Sequence, residues 1–147
     1  MPLDAIRIFT AFCSAYAARD LELALRYVTD DVVATIFVDR ELASFGGVTI
    51  GRAALRARWQ AMADGFELPE FRAVSCSHEN DRLRALIAFQ LLHRGTGQEI
   101  SGSFRTIVNF RDDLICRMES HHDRARMEAF LRLIAKPDGP LPEPDLD

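Results

Sequence analysis

The chain has 147 residues, 48% of them apolar, and its 18 Lys and Arg against 22 Asp and Glu leave a formal charge of -4. This suits one soluble domain, 1–136, large enough to bury a core without disulfide or metal staples. No apolar run approaches the roughly 20 residues that span a bilayer, and "MPLDAIRIF" lacks the basic start and long apolar stretch of a signal peptide, so the expected location is the cytoplasm, away from membranes.

Arginine is interleaved with Asp and Glu instead of forming a basic stripe, which argues against a nucleic-acid partner. Cys13, Cys76 and Cys116 are odd in number and widely spaced, and read as reduced core thiols.

In chain order, Ile6, Phe9, Cys13 and Tyr16 or Ala17 recur at helical spacing and predict a first helix over 3–17. Asp20 is placed to cap a short second helix, "LELALRYV", that ends near 29–31. "VVATIFVD", β-branched and apolar on both faces, predicts a buried strand over 32–39. The following stretch, "RELASFGGVT", is an ordinary connection or, since its pair Gly46 and Gly47 permits hinge motion, a lid. Gly51 opens a third helix with Leu55, Trp59, Met62 and Phe66 on its apolar face and Gly65 as its stop.

From Phe71 onward four extended runs are broken by "ENDR", "GTG" and "RDD", which predicts an antiparallel meander. A last helix, from Asp123 to about 135, repeats Met127, Phe130, Leu131 and Ile134 at i, i+3, i+4 and i+7. The proline-rich tail, 137–147, is expected to be disordered. Helices followed by a long antiparallel sheet give an α+β fold with helices packed on one face of a curved sheet.

Alternate residues of a strand face opposite sides of the sheet. Over 98–110 the even positions, among them Ile100, Phe104, Thr106 and Val108, form the covered side. Carrying that parity onward puts Leu114, Cys116, Met118, Ser120 and His122 inward, and Ile115, Arg117, Glu119 and His121 outward. Histidines on opposite faces cannot share one ion, so "HHD", 121–123, is not expected to bind metal. No phosphate-binding or dinucleotide loop occurs, and no organic cofactor is expected. "RLRALIAFQLLH" is apolar on both sides, which predicts a homodimer through the sheet.

"AARDLELALRYVTDDVVATIFVD", "IGRAALRARW" and "MESHHDRARMEAFL", in that order and spacing, resemble the nuclear transport factor 2-like superfamily and, within it, the SnoaL-like proteins, over about 3–135. The resemblance implies a cone whose sheet wraps an apolar pocket closed by helices, often in a dimer, and a range of activities on steroid, terpene and polyketide-like molecules. It does not carry over the known catalytic sets. Where a ketosteroid isomerase has its proton-moving carboxylate and oxyanion donors, this chain has Ile36, Phe12 and Thr106. The carboxylates and arginine of a limonene epoxide hydrolase match Gln90, Ser120 and Ala88.

His122 is the inward group with an ordinary pKa near neutrality, suited to proton transfer or, alternatively, to a hydrogen bond at the rim of the core. Asp123 either orients that imidazole or caps the last helix. Tyr16, Ile36, Trp59, Gln90, Phe104, Thr106, Met118 and Ser120 are the candidate pocket lining. Two functional readings follow: binding of a small apolar molecule, with or without acid/base catalysis, and a non-catalytic dimeric domain with a packed interior.

Overall fold

A computed structural model describes residues 2–43, 45–80 and 82–135. The apolar spacing at the N-terminus produces helix α1 (Pro2–Ala17), which buries Ala5, Phe9, Phe12 and Cys13. Asp20 caps α2 (Leu21–Leu25), accepting from the Leu23 amide at 3.1 Å. The helix stops earlier than expected, because the β-branched pairs Val28-Thr29 and Val32-Val33 go into β1 (Val28–Ile36), with Val28 and Val32 fully buried.

The stretch expected as loop ends in a short strand, β2 (Gly47–Ile50), antiparallel to β1. Its apolar residues face outward, Val48 and Ile50 being exposed while Thr49 is buried, so its pattern does not announce a strand. Helix α3 (Arg52–Gly65) starts at Gly51 and stops at Gly65 as expected, but Phe66 has extended backbone and opens β3 (Phe66–Glu79). The meander continues through β4 (Arg82–His93), β5 (Glu99–Arg111) and β6 (Leu114–His121), and α4 (Arg124–Ile134) closes the domain. The tail expected to be disordered, 137–147, lies outside the described residues.

The six strands form one curved sheet in the order β2-β1-β6-β5-β4-β3, antiparallel except where β1 runs parallel to β6. The β5–β6 hairpin turns on Asp112 and Asp113, both at positive φ, as a two-residue turn of matching twist requires. The helices cover the concave side. Burial on β5 follows the expected parity, with Ile100, Phe104, Thr106 and Val108 inside.

Two expectations of parity fail. On β4 the covered residues are Leu83, Ala85, Ile87, Phe89 and Leu91, so Gln90 and Ala88 face away from the helices. Gln90 lies opposite Ser101 and donates to Glu99 at 2.6 Å on that outer side. Both sides of β4 are apolar, and residue type alone could not choose between them. On β6, a bulge between the Phe110–Ile115 and Asn109–Arg117 pairings admits one extra residue, so Ile115 is buried on the side expected for Leu114 and Cys116. Beyond the bulge the expected parity holds for Met118 and Ser120.

Candidate functional site

The concave side of the sheet and the helices over it leave a cavity with about 130 Å³ of free space. Its walls are largely aromatic: Phe9, Phe12 and Tyr16 from α1, Trp59 from α3, Phe71 from β3, Phe89 from β4 and Phe104 from β5. Tyr16 is the hinge of this wall, its ring 5.3 Å from that of Trp59 and 5.0 Å from that of Phe71. Burial raises the Tyr16 pKa, so its hydroxyl stays protonated.

Of the residues expected to line a pocket, Tyr16, Ile36, Trp59, Phe104, Thr106, Met118 and Ser120 do so together, and Gln90 does not. Thr106 and Ser120 face each other across β5 and β6, and His122, two residues past Ser120, completes a polar strip in an otherwise apolar wall. The carboxylate and arginine positions inferred for the hydrolase comparison therefore do not converge, since Gln90 and Ala88 lie on the far side of the sheet from Ser120.

His122 is held by rings. Phe104 stacks on it at 4.2 Å with planes 25° apart, and Phe89 meets it edge-on at 5.3 Å. Desolvation by this surround pushes its pKa down to about 4, so the imidazole is neutral near pH 7, able to donate from one nitrogen and accept at the other. Its neighbour His121 lies outside the cavity, stacked on Phe37 at 4.5 Å. Among the described residues no group of three His, Cys, Asp or Glu is arranged to hold a metal. Asp123 turns away from the imidazole's work: its carboxylate accepts from the Arg126 amide at 3.2 Å and caps α4.

Arg58 is the residue that the sequence reading missed. It lines the cavity from α3 and donates through Nη1 to the Gly46 carbonyl at 2.8 Å. Arg40 donates to the same carbonyl through Nε at 3.3 Å. Burial, and then the neighbouring Arg40 charge, lower the Arg58 pKa. The signal was present: Leu55, Arg58, Trp59 and Met62 stand at i, i+3, i+4 and i+7, a guanidinium set into an apolar helix face. Gly46 is fixed by close approach, because a Cβ there would stand 2.4 Å from the Val38 carbonyl oxygen. Gly47 has φ of +79 and carries the Arg40 side chain over it.

A curved α+β cone closed by helices over an apolar cavity defines a class of small binding and catalytic domains. A SnoaL-like domain model matches residues 9–118, and the chain belongs to that family.

Solved structures share the fold. A nuclear transport factor 2-like protein of unknown function from Burkholderia pseudomallei superposes with a TM-score of 0.79 at 18% identity, covering 87% of this chain and 97% of that one. A candidate polyketide cyclase from Xanthomonas campestris gives 0.72 at 20%, covering 88% and 98%. An epoxide hydrolase resembling limonene epoxide hydrolase, from M. tuberculosis, gives 0.72 at 16%, covering 91% and 95%. No curated protein matches the sequence. No described helix is long and apolar enough to cross a membrane.

Proposed function

We propose that the domain binds a small, mostly apolar ring compound in its cone, with His122, Ser120 and Thr106 as the polar strip that orients it. The observation that carries this reading is the cavity itself, aromatic on several sides and polar along one line, the usual composition of a ligand site. Its free space is close to the roughly 150 Å³ of an engineered cavity that admits benzene. That size favours one ring, such as a monoterpenoid or a single aromatic ring, over a steroid or a fused polyketide.

Binding is better supported than proton transfer. A base is most effective when its pKa lies near the working pH, and His122 is held well below neutrality. No carboxylate lines the cavity among the described residues. The test is a thermal-shift screen against one-ring compounds, both neutral and acidic, terpenoids and steroids, repeated with Trp59→Ala. A ligand at about 100 times its Kd adds about 2.7 kcal/mol of stability, an unmistakable shift. No shift from any ring class would overturn the reading in favour of a domain whose interior serves only packing.

The outer side of the sheet supports a second proposal, a homodimer through that face. Half-buried Leu86 and Ile107 lie there in a shallow depression rimmed by Arg84, Arg105 and His121, and Val74 on neighbouring β3 is 49% exposed. Light scattering at micromolar concentration should give twice the mass of one chain, and Leu86→Arg should halve it. A single-chain mass for the unaltered protein would refute the dimer.

A further inference from the structure

From the placement of Arg58 in the cavity wall, we infer that the ligand is a small one-ring acid, its ring held by the aromatic walls and its carboxylate by the Arg58 guanidinium. The inference rests on the cavity reading and adds the charge of the ligand to it.

The comparison that carries it lies within one helix. On α3, the partly buried Arg52 pairs with exposed Asp30 at 2.6 Å, and Arg56 pairs with Glu22 at the surface. Arg58, turned toward the cavity, has no carboxylate partner among the described residues; its one recorded bond goes to the Gly46 carbonyl. A carbonyl oxygen carries only a partial charge, and here it is shared with the exposed Arg40, which lies outside the cavity lining, so Arg58 is the cation that faces the cavity. Arg58 is partly buried, and a guanidinium that keeps free N–H groups toward a cavity is matched in geometry to a carboxylate.

Nothing on the opposite walls competes for that role. The lining holds hydroxyls at Tyr16, Thr35, Thr49, Thr106 and Ser120, one neutral imidazole, and no Asp or Glu among the described residues. An acid entering the cavity meets a cation and hydrogen-bond donors, whereas an ammonium meets a like charge and only neutral acceptors. The tight loop keeps the arrangement in place: Gly46 lies against the Val38 carbonyl, which sets the direction in which its own carbonyl receives Arg58. Partial burial first, and then the Arg40 charge, lower the Arg58 pKa, the direction that an anion beside it would reverse.

The test compares benzoate, phenylacetate and cyclohexanecarboxylate with their neutral amides, by calorimetry at pH 7, in the unaltered protein, Arg58→Gln and Arg58→Lys. The acid should bind about ten- to a hundredfold more tightly than its amide, the span of a charge-assisted hydrogen bond. In Arg58→Gln, which still offers Gly46 a donor, that ratio should fall close to one, and Arg58→Lys should restore part of it. Matching melting curves establish that the variants are folded. Equal binding of acid and amide, or a preference that survives Arg58→Gln, overturns the inference and leaves the cavity reading standing. Failure of every acid, amide and neutral ring overturns both.

Discussion

The two sides of the sheet are built from alternate residues of the same strands, yet they are different solvents. Inside, Leu83, Ile87, Phe89 and Phe104 pack beneath the helices, and His122 is pushed to a pKa of about 4. Outside, exposed ion pairs such as Arg72–Glu70 and Arg117–Glu119 sit among half-covered apolar groups. His121 and His122 are adjacent in sequence, and one stacks on exposed Phe37 while the other is caged by buried Phe89 and Phe104. Side of the sheet, more than residue type or sequence neighbourhood, sets what each group does.

The sharpest way to break that comparison is to truncate one leucine on each side of β4. Leu83 is fully buried, so Leu83→Ala should cost about 2–5 kcal/mol, the lost transfer energy plus the cavity left behind. Leu86 lies on the outer side and is half-buried, and Leu86→Ala should cost less than about 1 kcal/mol in the single chain. Urea unfolding of both variants at low protein concentration measures the difference. Equal losses would mean that β4 presents its other face to the core.

Protonation separates the sides next. An unfolded chain charges its imidazole near pH 6.5, while folded His122 does so only near pH 4. Between those values the unfolded state holds more protons, so stability is complete above about pH 6.5 and falls as the pH is lowered toward 4. The full loss is about 3 kcal/mol, to the accuracy of the shift itself. His122→Phe should remove this part of the pH dependence of the urea midpoint. An unchanged profile would mean that His122 takes up its proton at the same pH in the folded and unfolded chain.

How much of this was legible depended on contrast along each strand. β5 alternates large apolar with polar or small residues, and its inner face, with Phe104 and Thr106, follows from parity alone. β4 lacks that contrast, and its register is set by pairing with β5, Ile87 opposite Phe104, which a single strand cannot express. This is why Gln90 was misplaced while Ser120 and Thr106 were found. The bulge on β6 is likewise a property of the pair, and it moved Ile115 inside without disturbing Met118 or Ser120. Arg58 was overlooked because a charge on a helix is ordinarily taken as solvated, although its spacing from Leu55 and Met62 placed it on the covered face.

The loop beside the cavity gives a smaller effect. Gly46→Ala puts a methyl 2.4 Å from the Val38 carbonyl oxygen, where backbone meets backbone and neither yields easily. A cost of about 1–3 kcal/mol is expected, as for other overpacked sites. The displaced carbonyl should also loosen Arg58, so the variant should lose affinity for a ring acid beyond what its lower stability explains. Gly65→Ala, where an added Cβ meets nothing within 4 Å, is the control on the far end of α3 and should leave binding unchanged.

The smallest effect decides what Asp123 is for. It lies between inward His122 and the last helix, and two substitutions separate its possible roles. Asp123→Ala removes the acceptor of the Arg126 amide and should cost about 1 kcal/mol, the usual worth of a helix cap. Asp123→Asn keeps a capping oxygen and removes the charge, so it should retain nearly all the stability. Because His122 owes its low pKa to desolvation by its surroundings, neither change should alter the pH at which His122 titrates, followed by its ring proton resonances. A shift of that titration in Asp123→Asn would show that the carboxylate acts on the imidazole after all, and the last turn of β6 would then belong to the site's chemistry and not only to its architecture.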